Sequence, residues 1–122
     1  MKIGVITDGI SRDFEHALKV MDEFGLEYAE LQFVWDKEIG FLETAEVSRA
    51  KKLLKQYGKQ VSNICHHIFA GMRMTSKPGD ELHTQHMDRL KRCMEIAHEL
   101  GSPRVRILSP KKEQVLFGAN GA

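Results

Sequence analysis

Apolar residues recur along this chain with two alternating periods. Phe14, Ala17, Leu18 and Met21 are spaced by three and four residues, and so are Val47, Ala50, Leu53, Leu54 and Tyr57 and again Met87, Leu90, Met94, Ala97 and Leu100. That spacing gathers each set on one face of an α-helix. The helices are expected from Ser11 or Asp13 to Glu23, from Glu43 to Gln56, and from Glu81 to Leu100. Between them lie β-rich stretches, Lys2–Thr7, Tyr28–Trp35, Gln60–Phe69 and Arg104–Ser109. Each helix runs into a glycine, at Gly25, Gly58 and Gly101, where a helix ends most easily in the left-handed conformation that a Cβ disfavours. These glycines are 33 and 43 residues apart, the length of a βα unit joining parallel strands.

Right-handed crossovers leave two architectures, an open doubly wound sheet and an arc of a (β/α)8 barrel. A dinucleotide-binding sheet calls for GxGxxG after the first strand. The chain has Thr7-Asp8-Gly9-Ile10-Ser11-Arg12-Asp13 there, with a single glycine. In the second strand Ala29, Leu31 and Phe33 alternate with Glu30 and Gln32, and in the fourth Val105 and Ile107 alternate with Arg106 and Leu108. Barrel interiors are filled in layers by alternate strands, so Glu30 and Arg106 are expected to point inward and pair. The expected fold is α/β, with parallel βα repeats forming the first four strands of an eight-stranded barrel. Residues 1–122 then form one partial domain.

Composition narrows the partners. The 122 residues suffice for one domain, and a net charge of +1 favours neither nucleic acid nor an anionic membrane. No apolar run approaches the roughly 20 residues that span a bilayer. The start MKIGVIT does not read as a signal peptide, so the expected compartment is the cytoplasm. Cys65 and Cys93 are too few for a disulfide framework and read as small buried hydrophobes. The stretch from Ala70 to Asp80, with Gly71, Pro78 and Gly79, reads as an irregular loop.

The stretches Met1–Gly9, Gly25–Gln32 and Val61–Phe69, together with Leu100-Gly101 followed by Val105-Arg106-Ile107, resemble the sugar phosphate isomerase/epimerase family. That family has the xylose isomerase-like TIM barrel, a group that also includes endonuclease IV. The resemblance runs from the first strand to just past the fourth. It implies a half barrel belonging to a metal-dependent enzyme that acts on a small sugar or sugar phosphate by proton transfer next to a carbonyl. It also implies a divalent metal (Mn, Mg, Co or Zn) at the mouth of the complete barrel. In this family the ligand carboxylates and the main metal histidine usually come from strands five to eight, so this chain is not expected to bind the metal alone. It is either a truncated fragment or a half barrel that completes itself with a partner.

Functional groups on barrels sit at the C-terminal ends of the strands. Here those positions are Thr7 and Asp8, then Gln32, Trp35 and Asp36, then His66 and His67, then Ser109, Lys111, Lys112 and Glu113. His66-His67 is the sharpest signal, because imidazole carries a proton near neutral pH. Adjacent strand residues point to opposite faces, so one of the two faces the pocket, and His67 is the expected catalytic residue. In the endonuclease-like branch the matching histidine is a metal ligand; in the isomerase branch it touches substrate. Gln32, Trp35, His66, Lys111 and Glu113 are expected to line the substrate, Trp35 offering a flat face and the lysine holding a phosphate or an enediolate oxygen. His83 and His86, three apart on the third helix, read as a solvated face. The tail from Phe117 to Ala122 reads as flexible, or as a loop whose glycines expose backbone N–H groups to a phosphate. Two alternative functions follow: a noncatalytic half barrel that self-associates through open sheet edges, and an endonuclease IV-like phosphodiesterase fragment.

Overall fold

The computed structural model describes residues 1–73 and 75–110. The strands are β1 (Gly4–Ile6), β2 (Tyr28–Leu31), β3 (Phe33–Val34), β4 (Lys37–Glu38), β5 (Gln60–Cys65) and β6 (Val105–Arg106), and the helices α1 (Phe14–Glu23), α2 (Thr44–Gln56) and α3 (Glu81–Leu100). Four strands form one parallel sheet in the order β1-β2-β5-β6, while β3 and β4 make a separate antiparallel hairpin. The helix ends follow local chemistry. Asp13 caps α1 by accepting the His16 N–H at 3.2 Å, and Glu46 accepts the Glu43 N–H ahead of α2 at 3.0 Å, each satisfying an amide that the first turn leaves free. Gly25, Gly58 and Gly101 all have φ between 64° and 73°, the left-handed reversal expected of them.

All three helices share one core. Phe14, Leu18 and Met21 from α1, Val47, Ala50, Leu53 and Leu54 from α2, and Ile96, Ala97 and Leu100 from α3 are buried with Ala29, Leu31, Val61 and Ile64 of the sheet. A doubly wound sheet has helices on both faces; a sheet covered on one face only, with parallel strands in chain order, is an arc of a (β/α)8 barrel. The uncovered face is therefore the barrel interior. Ala29 and Leu31 point to the helices, so Glu30 points to the interior. There it accepts from Asn63 Nδ2 at 3.1 Å and faces Arg106 Nη1 at 3.9 Å, the pairing that alternation implied. No helix of the described residues is long and apolar enough to cross a membrane.

Three expectations are corrected. The second strand does not run to Trp35: β2 stops at Leu31 and the chain folds back as the β3–β4 hairpin. On α3, the buried positions are Cys93, Ile96, Ala97 and Leu100, whereas Met94 is 58% exposed. The inner stripe is rotated toward Cys93, and Leu90 and Met94 instead line an apolar groove with Val105 and Ile107. The fourth strand is also short; beyond Arg106 the chain keeps contact through the Leu108 N–H, which donates to the Ile68 carbonyl at 3.0 Å.

Candidate functional site

The hairpin after β2 builds the site. Its two-residue loop is Trp35-Asp36, with φ of 50° and 65°, as a tight turn between twisted strands requires. Asn-Gly is the usual choice there, and a tryptophan held at positive φ costs about 1–3 kcal/mol. Packing offsets it. The Trp35 ring meets Phe14 edge-on at 5.7 Å and carries the Arg49 guanidinium 4.5 Å over its face, while the Trp35 N–H donates to the Arg12 carbonyl at 3.0 Å. The return strand then delivers Glu38 to the C-terminal end of β5.

Glu38 lies between two adjacent imidazoles. Its Oε1 is 2.5 Å from Nδ1 of His67 and accepts the His67 backbone N–H at 2.7 Å; its Oε2 is 3.5 Å from Nε2 of His66. The side chain of Glu38 is only 13% exposed. His67 Nε2 faces the Gln32 side-chain nitrogen at 3.2 Å. With Nδ1–H given to the carboxylate, Nε2 is the ring's lone pair, and Gln32 donates to it. His66 has the opposite tautomer: its Nδ1 accepts the Gly40 N–H at 3.1 Å, so its proton sits on Nε2, toward Glu38. Burial holds the His66 pKa below the usual histidine value, with Glu38 opposing the shift and Arg89 adding to it.

The turn Ile39–Phe41 backs this cluster. The Ile39 N–H donates to the Gln32 carbonyl at 2.7 Å, Arg89 Nη1 donates to the Gly40 carbonyl at 2.5 Å, and Arg92 donates to that of Leu42 at 3.0 Å. Gly40 is required for this approach. A Cβ there would stand 2.7 Å from Arg89 Cδ and from His66 Nδ1, and 2.9 Å from Cys93 Sγ. Burial pushes the Cys93 thiol up to about 11 and raises Cys65 as well, so both remain protonated hydrophobes rather than nucleophiles.

The sequence-derived candidates divide. Gln32, His66 and His67 are brought together. His66 and His67 both border one cavity of about 250 Å³, with Phe41, Gln85, His86 and Arg89; the expectation that only one of them could do so fails because β5 ends at Cys65 and strand alternation ends with it. Trp35 is not brought to this cluster; it packs against the core between α1 and α2. Asp8 accepts the Phe33 N–H at 3.4 Å, and Thr7 is buried. Lys111 and Glu113 lie outside the described residues, as do Lys112 and the tail from Phe117 to Ala122. His83 and His86 do not form a solvated face: both are half-buried against the Phe69 ring, and His86 Nδ1 accepts the Phe69 N–H at 3.0 Å. Phe69 has φ 65°, and this bond helps hold it there.

Glu38, Gly40 and Arg89 were not singled out by sequence reasoning. A hairpin read as continuous strand hides Glu38, and no local pattern announces that Gly40 meets α3.

The described residues do not fit a resident divalent ion. No three His, Cys, Asp or Glu side chains among them are placed to hold one. Glu38 is engaged by both imidazoles and His66 has its Nδ1 lone pair on Gly40, which leaves His67 Nε2 as a single donor. No chemical step is derived through a metal.

No curated protein matches the chain significantly. The model of the xylose isomerase-like TIM barrel matches residues 15–118, nearly the span over which helices and parallel strands alternate around one core. The one-sided helix layer, the strand order and that match agree, and the chain belongs to the xylose isomerase-like TIM barrel family, of which it carries the first four strands.

Proposed function

We propose that these strand ends form one wall of a site for a small sugar or sugar phosphate, and that the reaction is proton transfer next to a carbonyl, as in an aldose–ketose isomerase or an epimerase. The observation that carries this reading is the Glu38 carboxylate on Nδ1 of His67 at the mouth of the barrel. A carboxylate at Nδ1 fixes the tautomer, points Nε2 outward and stabilises the imidazolium formed when Nε2 takes a proton. Gln32 occupies Nε2 now; the substrate carbon next to the carbonyl would take its place and pass its proton to Nε2, while the freed amide would donate to the carbonyl oxygen, on which the electron pair of the broken C–H bond comes to rest. His66 stays neutral because it is buried, and its Nε2–H keeps Glu38 from turning away. The family includes sugar isomerases and epimerases as well as endonuclease IV-like enzymes, and the near-neutral charge of +1 suits a small ligand better than a polyanion.

The test is hydrogen exchange. The chain is incubated in D₂O with aldoses, ketoses and their phosphates, and loss of the proton next to the carbonyl is followed by NMR. Exchange above the buffer rate is expected, reduced about 100-fold in His67→Ala, the scale of one general acid–base group. Absence of exchange with every sugar, or exchange indifferent to His67, rejects the reading.

A further inference from the structure

His66 and His67 are neighbours in the chain, yet they hold opposite tautomers around one carboxylate. His67 gives Nδ1–H to Glu38, whereas Nδ1 of His66 accepts the Gly40 N–H at 3.1 Å and its proton sits on Nε2, 3.5 Å from Glu38 Oε2. This arrangement depends on where Gly40 stands. Were its N–H to move away, the His66 proton could pass to Nδ1, and a lone pair on Nε2 would then face the carboxylate. Negative charge facing a lone pair is repelled, so Glu38 would turn and Nδ1 of His67 would lose its partner.

The turn Ile39–Phe41 does not secure Gly40 by itself. The Leu42 N–H closes it on the Ile39 carbonyl at 3.3 Å, and Ile39 is buried in the core, but Gly40 has no side chain to pack and Phe41 is 53% exposed. The grip on this end of the turn comes from α3. Arg89 Nη1 donates to the Gly40 carbonyl, and its guanidinium lies 4.0 Å over the Phe41 ring, which in turn meets the His66 ring edge-on at 5.1 Å. A planar guanidinium does both at once, giving an N–H in its plane and a face to the ring. That grip uses one donor and one face, so it stands whatever else the guanidinium meets.

We infer that Arg89 is a positioning residue for His67: by fixing Gly40 from α3 it keeps His66 in the Nε2–H tautomer, and thereby keeps Glu38 on Nδ1 of His67. Arg89 acts through Gly40, His66 and Glu38 and need not touch the reacting atoms. A helix that covers the outer side of the sheet thus sets the state of a ring at the mouth. The effect on catalysis rests on the reading of His67 as the proton acceptor; the effect on the two tautomers does not.

Nitrogen-15 NMR of the histidine-labelled chain tests it, because the ring shifts report which nitrogen of each imidazole carries the proton. At mildly alkaline pH the unmodified chain is expected to show Nδ1–H at His67 and Nε2–H at His66. Arg89→Met removes the donor and the flat cation but keeps the stem; both rings are expected to become mixtures of tautomers, and hydrogen exchange on the sugar to slow about tenfold or more, as for a misplaced catalytic group. Leu54→Val trims a core side chain near the end of α2, beside the start of β5 and away from the mouth; it is expected to lower the melting midpoint and leave both tautomers as they were. Arg89→Lys keeps a donor for the Gly40 carbonyl without the flat face and is expected to fall between the unmodified chain and Arg89→Met. Unchanged tautomers in Arg89→Met, with only the melting midpoint lowered, make Arg89 a brace and overturn the inference. Mixed tautomers in Leu54→Val overturn it too, because loosening anywhere would then suffice. If Arg89→Met does not fold, Arg89→Lys decides, and tautomers identical to those of the unmodified chain overturn the inference. Tautomers that respond to Arg89 without exchange on any sugar sustain the positioning while rejecting the reaction. Exchange that needs His67 but is indifferent to Arg89, with tautomers unchanged, does the reverse.

Discussion

Glu30 and Glu38 stand eight residues apart on the same βα connection and live in different physical regimes. Glu30 projects into the open barrel interior, 24% exposed, with Asn63 at hydrogen-bond distance and Arg106, itself 56% exposed, at 3.9 Å. Glu38 is enclosed by His66 and His67, hydrogen-bonded to the backbone N–H and Nδ1 of His67 and with His66 Nε2 3.5 Å away. An ion pair at such exposure contributes little, about 0–1 kcal/mol. A nearly buried carboxylate engaged by several donors is different: removing it leaves those donors without partners, at about 1–3 kcal/mol. The contrast teaches that on this sheet position along the strand matters less than what closes over the side chain.

Gly40→Ala should have the largest effect. The added methyl meets Arg89, His66 and Cys93 at under 3 Å, and overpacking a filled site costs about 1–3 kcal/mol. It should also displace His66 from its Gly40 hydrogen bond. Thermal denaturation gives the stability loss, and imidazole NMR shifts should move for His66 while the Glu30 neighbourhood stays unchanged. An unchanged melting curve would mean that the turn is free to move away from α3.

Glu38→Ala against Glu30→Ala sets the comparison directly. The first is expected to cost about 2 kcal/mol, the second under 1 kcal/mol. Equal losses in urea denaturation would show that enclosure does not distinguish the two carboxylates.

The next effect is a dependence on pH. The folded-state pKa of His66 lies below its ordinary value of 6.5, so the unfolded chain binds a proton that the folded chain refuses. Stability is then fully present above about 6.5 and falls as pH drops from there toward the lowered folded value, because the unfolded state binds more protons across that window. Urea midpoints measured between pH 7.5 and 5 should decline, and His66→Asn should flatten the decline. A profile identical in the variant would assign the titration elsewhere.

The smallest effect concerns the turn. Asp36 has φ 65° and is 81% exposed, with Arg12 at 3.7 Å. Asp36→Gly should raise stability by a few tenths of a kcal/mol, because glycine reaches positive φ without strain. A loss instead would show that the Arg12 contact outweighs the backbone gain.

The contrast between the two glutamates also explains what could be read in advance. Glu30 and Arg106 were legible because strand alternation is a local rule and the barrel relates alternate strands. The helices were legible to within a residue at most ends, since Asp13, Gly25, Gly58 and Gly101 are local signals. Glu38 was hidden because its location depends on a turn whose residues, Trp35 and Asp36, carry no glycine or asparagine, in a stretch whose alternation looks like continuous strand. The role of His86 was hidden for another reason. Its partner is the N–H of Phe69, a residue at positive φ in a loop with no sequence signature, so only the folded path of that loop brings the two together.

The hairpin constrains how the chain tolerates insertions and deletions. Side chains on a strand change sides with every residue. One residue added between Lys37 and Glu38, within the return strand, would turn Glu38 away from both imidazoles, though every residue of the cluster would still be present. Among divergent copies of this half barrel, the spacing between Gln32 and Glu38 should therefore be held more strictly than the identity of the turn residues between them.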